Sequence, residues 1–150
     1  MDWQDILNNA VEAERAESMK TSEQLTLGEL ILKLEAIADK SKLVIFDDSH
    51  HPTGIDSWRG SYAEIAIEYA EDGEKFSASA FLDLLKRAIG NTFYGYKGGE
   101  FLMGKITPVW VANYGESYGF KQDGDIDTQA VVDVSQDEQY VVIETKCIAY

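Results

Sequence analysis

Cysteine is almost absent from this 150-residue sequence: Cys147 stands alone, so no disulfide can form within the chain. A single thiol in a late apolar stretch reads as a core residue, and the composition suits a reducing cytoplasm. Long apolar runs are missing too. No stretch approaches the roughly 20 residues that a bilayer-spanning helix needs. The acidic start Met1-Asp2-Trp3-Gln4-Asp5 has neither the basic region nor the apolar run of a secretory signal. Cations are scarce: 13 Lys and Arg face 27 Asp and Glu, for a net charge of −14. Direct binding to nucleic acid or to an anionic membrane is therefore disfavoured, because both need a cationic surface that releases counterions. The charge favours a basic protein partner, electrostatically steered. The same acidity also serves plain solubility.

Catalytic signatures are missing as well. There is no G-x-S-x-G, no Cys beside a His and no Ser-His-Asp arrangement. The only histidines lie in Asp47-Asp48-Ser49-His50-His51. These are ligand types of hydrolytic metals, which makes a metal-dependent hydrolase one reading. Adjacent extended residues point apart, however, and Pro52 and Gly54 mark residues 47–60 as a hydrophilic loop. Asp123-Gly124-Asp125-Ile126-Asp127 has acids at the first, third and fifth places of a calcium loop. Thr128 stands where glycine is needed and Val134 where glutamate is needed, so a solvated acidic turn is expected. In Gly95-Tyr96-Lys97-Gly98-Gly99 the lysine precedes glycine rather than Ser or Thr, and a strand follows, so this is a tight turn and not a phosphate loop. The expectation is a chain without metal, cofactor or enzymatic chemistry.

Against these absences stands an ordinary apolar fraction of 45 %, enough for one folded domain over residues 1–150. Residues 2–18 have the spacing of an amphipathic helix through Trp3, Ile6, Leu7, Ala10 and Val11, so residues 1–25 form a helical extension to a core at 26–150. A second helix over 26–38 starts with a capping box, Thr26 with Glu29, and presents Leu27, Leu30, Ile31, Leu34 and Ile37. A third over 78–89 has Ser77 as N-cap and Gly90 just beyond its end, with Phe81, Leu84, Leu85, Ala88 and Ile89 buried. Strands are expected at Leu43–Phe46, Tyr62–Tyr69, Thr92–Tyr96, Glu100–Met103, Pro108–Tyr114, Ala130–Val134 and Gln139–Ile148, the last two joined by a turn at 135–138. In the second of these, Ala63, Ile65, Ile67 and Tyr69 face one way, Glu64 and Glu68 the other. The fold class is α+β: one mixed or antiparallel sheet of about five to six strands, two amphipathic helices on one face, and the N-terminal helix. The pairs Leu30/Leu82, Leu32/Leu84, Ala36/Ala88 and Ile37/Ile89 keep one offset of 52, which fits a duplicated α-β-β unit and equally fits two unrelated helices of one length.

Two surfaces are candidates for function. The carboxylates of Asp123, Asp125, Asp127, Asp137 and Glu138 fall in turns, where they project without serving the core and can stand in for DNA phosphates before a basic partner. Residues 121–150 hold seven acids against two lysines. The alternative pairs cations with aromatics, Trp58 with Arg59 and Tyr96 with Lys97, a composition suited to interfaces and to stacking on a nucleotide.

The strings Asp56-Ser-Trp-Arg-Gly-Ser-Tyr62, Gly95-Tyr-Lys-Gly-Gly-Glu-Phe101 and Thr107-Pro-Val-Trp-Val-Ala-Asn-Tyr-Gly115 resemble small uncharacterised acidic accessory proteins of tailed bacteriophages, over roughly residues 43–134. The resemblance carries no catalytic residues. It implies a protein of the host cytoplasm that disables a host enzyme or defence system. The reading from sequence is thus a non-enzymatic acidic inhibitor of a basic nucleic-acid-handling or host-defence protein. A nucleotide-sequestering protein is the alternative, and a hydrolase at Asp47, Asp48, His50 and His51 is third.

Overall fold

The structure, a computed structural model, describes residues 23–57, 64–90, 92–94, 100–102, 104–114, 116, 119–121 and 128–148. The expected helix over 2–18 lies outside them. The fold is α+β.

Helix α1 spans Leu27–Glu35. Its capping box forms as the spacing requires: the Glu29 amide donates to Thr26 Oγ1 at 3.2 Å, and the Thr26 amide donates to Glu29 Oε1 at 3.1 Å. Leu27, Leu30, Ile31 and Leu34 are buried, whereas Leu32 on the opposite side is exposed. Helix α2 spans Ala78–Ala88, with Ser77 Oγ accepting from the Ala80 amide and Gly90 at φ +81° just past the C-cap. Its buried set is Ala78, Phe81, Leu82, Leu85 and Ala88. Leu82 joins the expected face, while Leu84 and Ile89 are partly buried against the core.

Among the described residues there are eight strands: β1 Leu43–Phe46, β2 His51–Ser57, β3 Ile65–Ala70, β4 Thr92–Tyr94, β5 Glu100–Leu102, β6 Val109–Val111, β7 Gln129–Gln136 and β8 Tyr140–Cys147. Six form one mixed sheet in the order β1-β8-β7-β6-β3-β2, while β4 and β5 make a separate two-stranded sheet. The β1–β8 and β3–β6 pairs are parallel and the others antiparallel. Strand β2 corrects the loop expected at 47–60. Pro52 lacks a ladder donor and Gly54 relaxes the chain, but β2 is an edge strand whose register shifts between these two residues, so neither interrupts pairing.

The two edges of the six-stranded sheet are neighbours in sequence. A tight turn at residues 47–50 joins β1 to β2, with the Phe46 amide donating to the His50 carbonyl at 2.7 Å and the Ser49 amide to the Phe46 carbonyl at 3.1 Å. Ser49 takes φ +83°, the left-handed residue that such a turn needs before the second strand. The sheet therefore curls until its edges meet at this seam, nearly closing a barrel. Strands β6 and β7 share a single register pair, Trp110 with Ala130. Beyond it residues 24–28 wedge between them. Leu25 donates to the Val131 carbonyl and accepts from the Val109 amide, and the buried Gln24 donates Nε2–H to the Val109 carbonyl. Gly28 lies so close to the Lys105 carbonyl that a Cβ would sit 2.9 Å from it.

The main core lies inside the curled sheet under both helices and includes Phe46, Phe81, Leu85, Ile65, Ile67 and Ile143. A second cluster, Ala66, Trp110, Ala112 and Ala130, occupies the outer face. A further expectation is corrected: Glu64, assigned to a wet face, is buried. Among the described residues, α1 leads to β1 of the large sheet and α2 to β4 of the small one, so the duplicated unit is not confirmed.

Candidate functional site: an acidic and aromatic rim at the barrel seam

Folding separates the Asp47–His51 run into three directions. Asp47 turns to β8 and the 119–121 segment. Its Oδ1 accepts from Thr145 Oγ1 at 2.8 Å, and its Oδ2 from the Thr145 amide at 3.0 Å and from Lys121 Nζ at 2.9 Å. Gln129 extends the network, donating Nε2–H to Thr145 Oγ1 at 2.8 Å and accepting from the Lys121 amide at 3.1 Å. A side chain at Gly119 would collide with Gln129 Oε1, so glycine is what admits this packing.

His51 points the other way, into the barrel wall. It is 1 % exposed, and Nε2–H donates to the Asp72 carbonyl at 2.9 Å. His50 and Asp48 turn to each other: Nδ1–H lies 2.8 Å from both carboxylate oxygens of Asp48. The far nitrogen of His50 lies 3.4 Å from Glu71, whose side chain is largely exposed. Among the described residues no group of three or more His, Cys, Asp or Glu side chains could hold a metal ion.

Around His50 gathers a ring cluster. Phe120 stacks on the imidazole at 4.7 Å, and Tyr69 meets both rings edge-on, at 5.4 Å from His50 and 5.3 Å from Phe120. The Tyr69 hydroxyl donates to Glu116 Oε2 at 2.7 Å, and the Tyr69 amide donates to Asn113 Oδ1 at 2.9 Å. Partial burial pushes the Tyr69 phenol well above its ordinary range, and the Glu116 bond and the charges of Glu116 and Asp48 push the same way. Three connections thus bring carboxylates to one rim: Asp48 from the β1–β2 turn, Glu71 from the β3–α2 loop, and Glu116 from the loop after β6. Asp72 and Glu74, exposed on the same loop as Glu71, extend its charge, and Tyr114 beside Glu116 is 86 % exposed.

Sequence reasoning missed this rim. Tyr69, Glu71, Glu116 and Phe120 lie in unrelated stretches of chain, and no spacing marks them. The residues it singled out fall elsewhere. Asp137 Oδ1 accepts from the Tyr140 amide at 2.7 Å and the Gln139 amide at 2.8 Å, which closes the β7–β8 turn. Those two amides, first that of Tyr140, and then the charge of Lys42 hold its carboxyl below the usual carboxylate range. Glu138 is exposed beside it. Asp123, Asp125 and Asp127, like Trp58, Arg59, Tyr96 and Lys97, lie outside the described residues. Lys121 and Thr128, which bracket the three aspartates, stand at the Gln129 end of β7, whereas Asp137 and Glu138 stand at the other end.

No protein-family model, no curated protein and no solved structure matches the chain.

Proposed function

We propose that the chain is a non-enzymatic binding protein that takes up a basic protein, a nucleic-acid-handling or host-defence protein in the phage setting the sequence resembles. The observation that supports this reading is the rim: Asp48, Glu71 and Glu116, carried by three separate connections, surround the His50–Phe120–Tyr69 rings on a chain of net charge −14. Partly exposed rings beside carboxylates suit arginine and lysine side chains, through ion pairs at the edge and ring contacts at the centre. Asp123, Asp125 and Asp127 contribute to the acidic charge of the chain, and the mimicry of DNA phosphates is the finer form of the proposal.

The test is capture of the partner from host extract, followed by association and dissociation rates across salt. The on-rate should fall steeply as ionic strength passes about 0.15 M, where the Debye length is roughly 8 Å. Replacing Glu71 and Glu116 together by Gln should slow association more than it speeds dissociation, because rim charges act mainly on encounter. A salt-independent on-rate that the double variant leaves unchanged would sink the reading.

A second reading, capture of a small anionic ligand such as a nucleotide, draws on one feature. Strand β4 packs against β2, so the segments that follow Ser57 and Tyr94, carrying Trp58 with Arg59 and Tyr96 with Lys97, leave neighbouring strands. Nucleotide-dependent stabilisation that Arg59→Ala and Lys97→Ala abolish would move the function there. The hydrolase reading draws no support from the geometry, since Asp47, His50 and His51 point to different partners.

A further inference from the structure

We propose that the Asp72–Gly73 peptide bond is a site of spontaneous isomerisation, and that the reaction releases Nε2 of the buried His51 from the Asp72 carbonyl, leaving the Pro52 carbonyl oxygen, 3.3 Å from Nδ1, as the remaining neighbour. Asp72 and Gly73 lie in the exposed stretch 71–74 between β3 and α2. Gly73 has φ +101°, and apart from its two chain neighbours nothing lies within 4 Å of where a Cβ would stand, so its Cα side is open. Among the described residues, none accepts a hydrogen bond from the Gly73 amide. An aspartyl residue followed by glycine is the sequence in which the main-chain nitrogen reaches the side-chain carboxyl with least hindrance.

The chemistry needs only water. The Gly73 nitrogen attacks Cγ of Asp72, a C–N bond forms, and the amide proton and the carboxyl hydroxyl leave together as one water molecule. The resulting five-membered imide has two carbonyls. Water adding at Cγ restores aspartate. Water adding at the former main-chain carbonyl gives isoaspartate, in which the backbone runs through Cβ and Cγ. The mass is unchanged and the main chain is one carbon longer.

That extra carbon falls at a consequential place. The Asp72 carbonyl is the acceptor for His51 Nε2–H at 2.9 Å, and His51 is 1 % exposed, so a displaced carbonyl leaves a buried donor to find another partner. Glu71, which faces His50, is the preceding residue. The isomerisation therefore reaches the wall of the barrel and the edge of the rim.

The folded protein is aged at neutral pH and physiological temperature, then cut with trypsin. Asp72–Gly73 falls in peptide 60–75, while the second such pair, Asp123–Gly124, falls in peptide 122–146 and is followed separately. Isoaspartate is read by enzymatic methylation and by fragmentation of each peptide. The unmodified form of peptide 60–75 should be progressively lost from the folded protein. Asp72→Asn should convert faster, with ammonia leaving in place of water, and Asp72→Glu, which would need a larger ring, should not convert. The isomerised fraction should unfold at a lower temperature than the unaged protein. The proposal is overturned if peptide 60–75 stays intact in the folded chain while the same free peptide converts. A converted fraction with an unchanged midpoint would overturn the link to His51.

Discussion

His50 lies flat on Phe120, with ring centroids 4.7 Å apart and planes 5° from parallel. The two residues come from the turn that joins the sheet's edges and from the segment that precedes β7, so their stack fastens the seam. The same imidazole is held by Asp48 and faces Glu71, and one side chain thereby couples packing to the charge of the rim. Replacing His50 with Ala removes the stack and the Asp48 bond, an expected loss of about 1–3 kcal/mol by denaturant titration. Phe120→Leu, which keeps apolar bulk but not the stack, should cost less than His50→Ala.

Asp47 is the hub of the neighbouring network, with Thr145 and Lys121 as donors. Asp47→Ala strands the Thr145 amide and hydroxyl, and a cost of roughly 2–4 kcal/mol is expected. Asp47→Asn places an amide NH₂ against one of these donors and should recover only part of the loss. Equal stability of both variants with the parent would show that the network carries no net weight.

Stability should depend on acid through the β7–β8 turn. The folded pKa of Asp137 is lowered from 3.8, so its contribution is present above the unfolded value and is lost as pH falls through the folded one. Asp137→Asn is expected to be less stable than the parent at pH 7. That gap should narrow below about pH 4, where the parent carboxyl protonates as well. A gap constant from neutral to strongly acid pH would contradict the assigned role.

Ser49 occupies the left-handed region with φ +83°. Ser49→Gly removes the Cβ strain at the price of a looser unfolded chain, and a net gain of up to about 1 kcal/mol in unfolding free energy is expected. Ser49→Val, branched at Cβ, should destabilise the same turn. If glycine weakens the protein as much as valine does, the turn is not the strained link between β1 and β2.

Phe81 is fully buried between the helices and the sheet, while Leu32 is 67 % exposed. Phe81→Ala should cost about 3–5 kcal/mol, and Leu32→Ala within about 0.5 kcal/mol. Chemical denaturation of the two variants side by side measures the contrast.

Local signals carried the sequence reading where it succeeded. Thr26 with Glu29, Ser77 and Gly90 set helix ends because their partners lie within four residues, and the existence of the β7–β8 turn was readable for the same reason, although Ser135 and Gln136 of the expected turn pair within β7 and the turn itself falls at 137–139. Where it failed, a neighbour distant in sequence overrode the local cue. Pro52 and Gly54 read as loop until β3 supplied a strand for β2 to border. Glu64 read as solvent-facing from strand alternation, yet it is buried, on a sheet whose outer face carries a second packed layer.

By itself the sequence determined the fold class, the amphipathic faces, the helix caps and the acidic charge, all of which depend on composition or on residues a turn or two apart. Tertiary structure alone decided that the sheet curls back to its own first strand. It also decided that Asp47, His50 and His51 part company, and that Tyr69, Glu116 and Phe120 join His50 at one rim. The physical reason is that strand order and closure depend on hydrogen bonds between segments up to about a hundred residues apart, such as Asp47 with Thr145, and no short-range pattern encodes which distant strand will supply the partner.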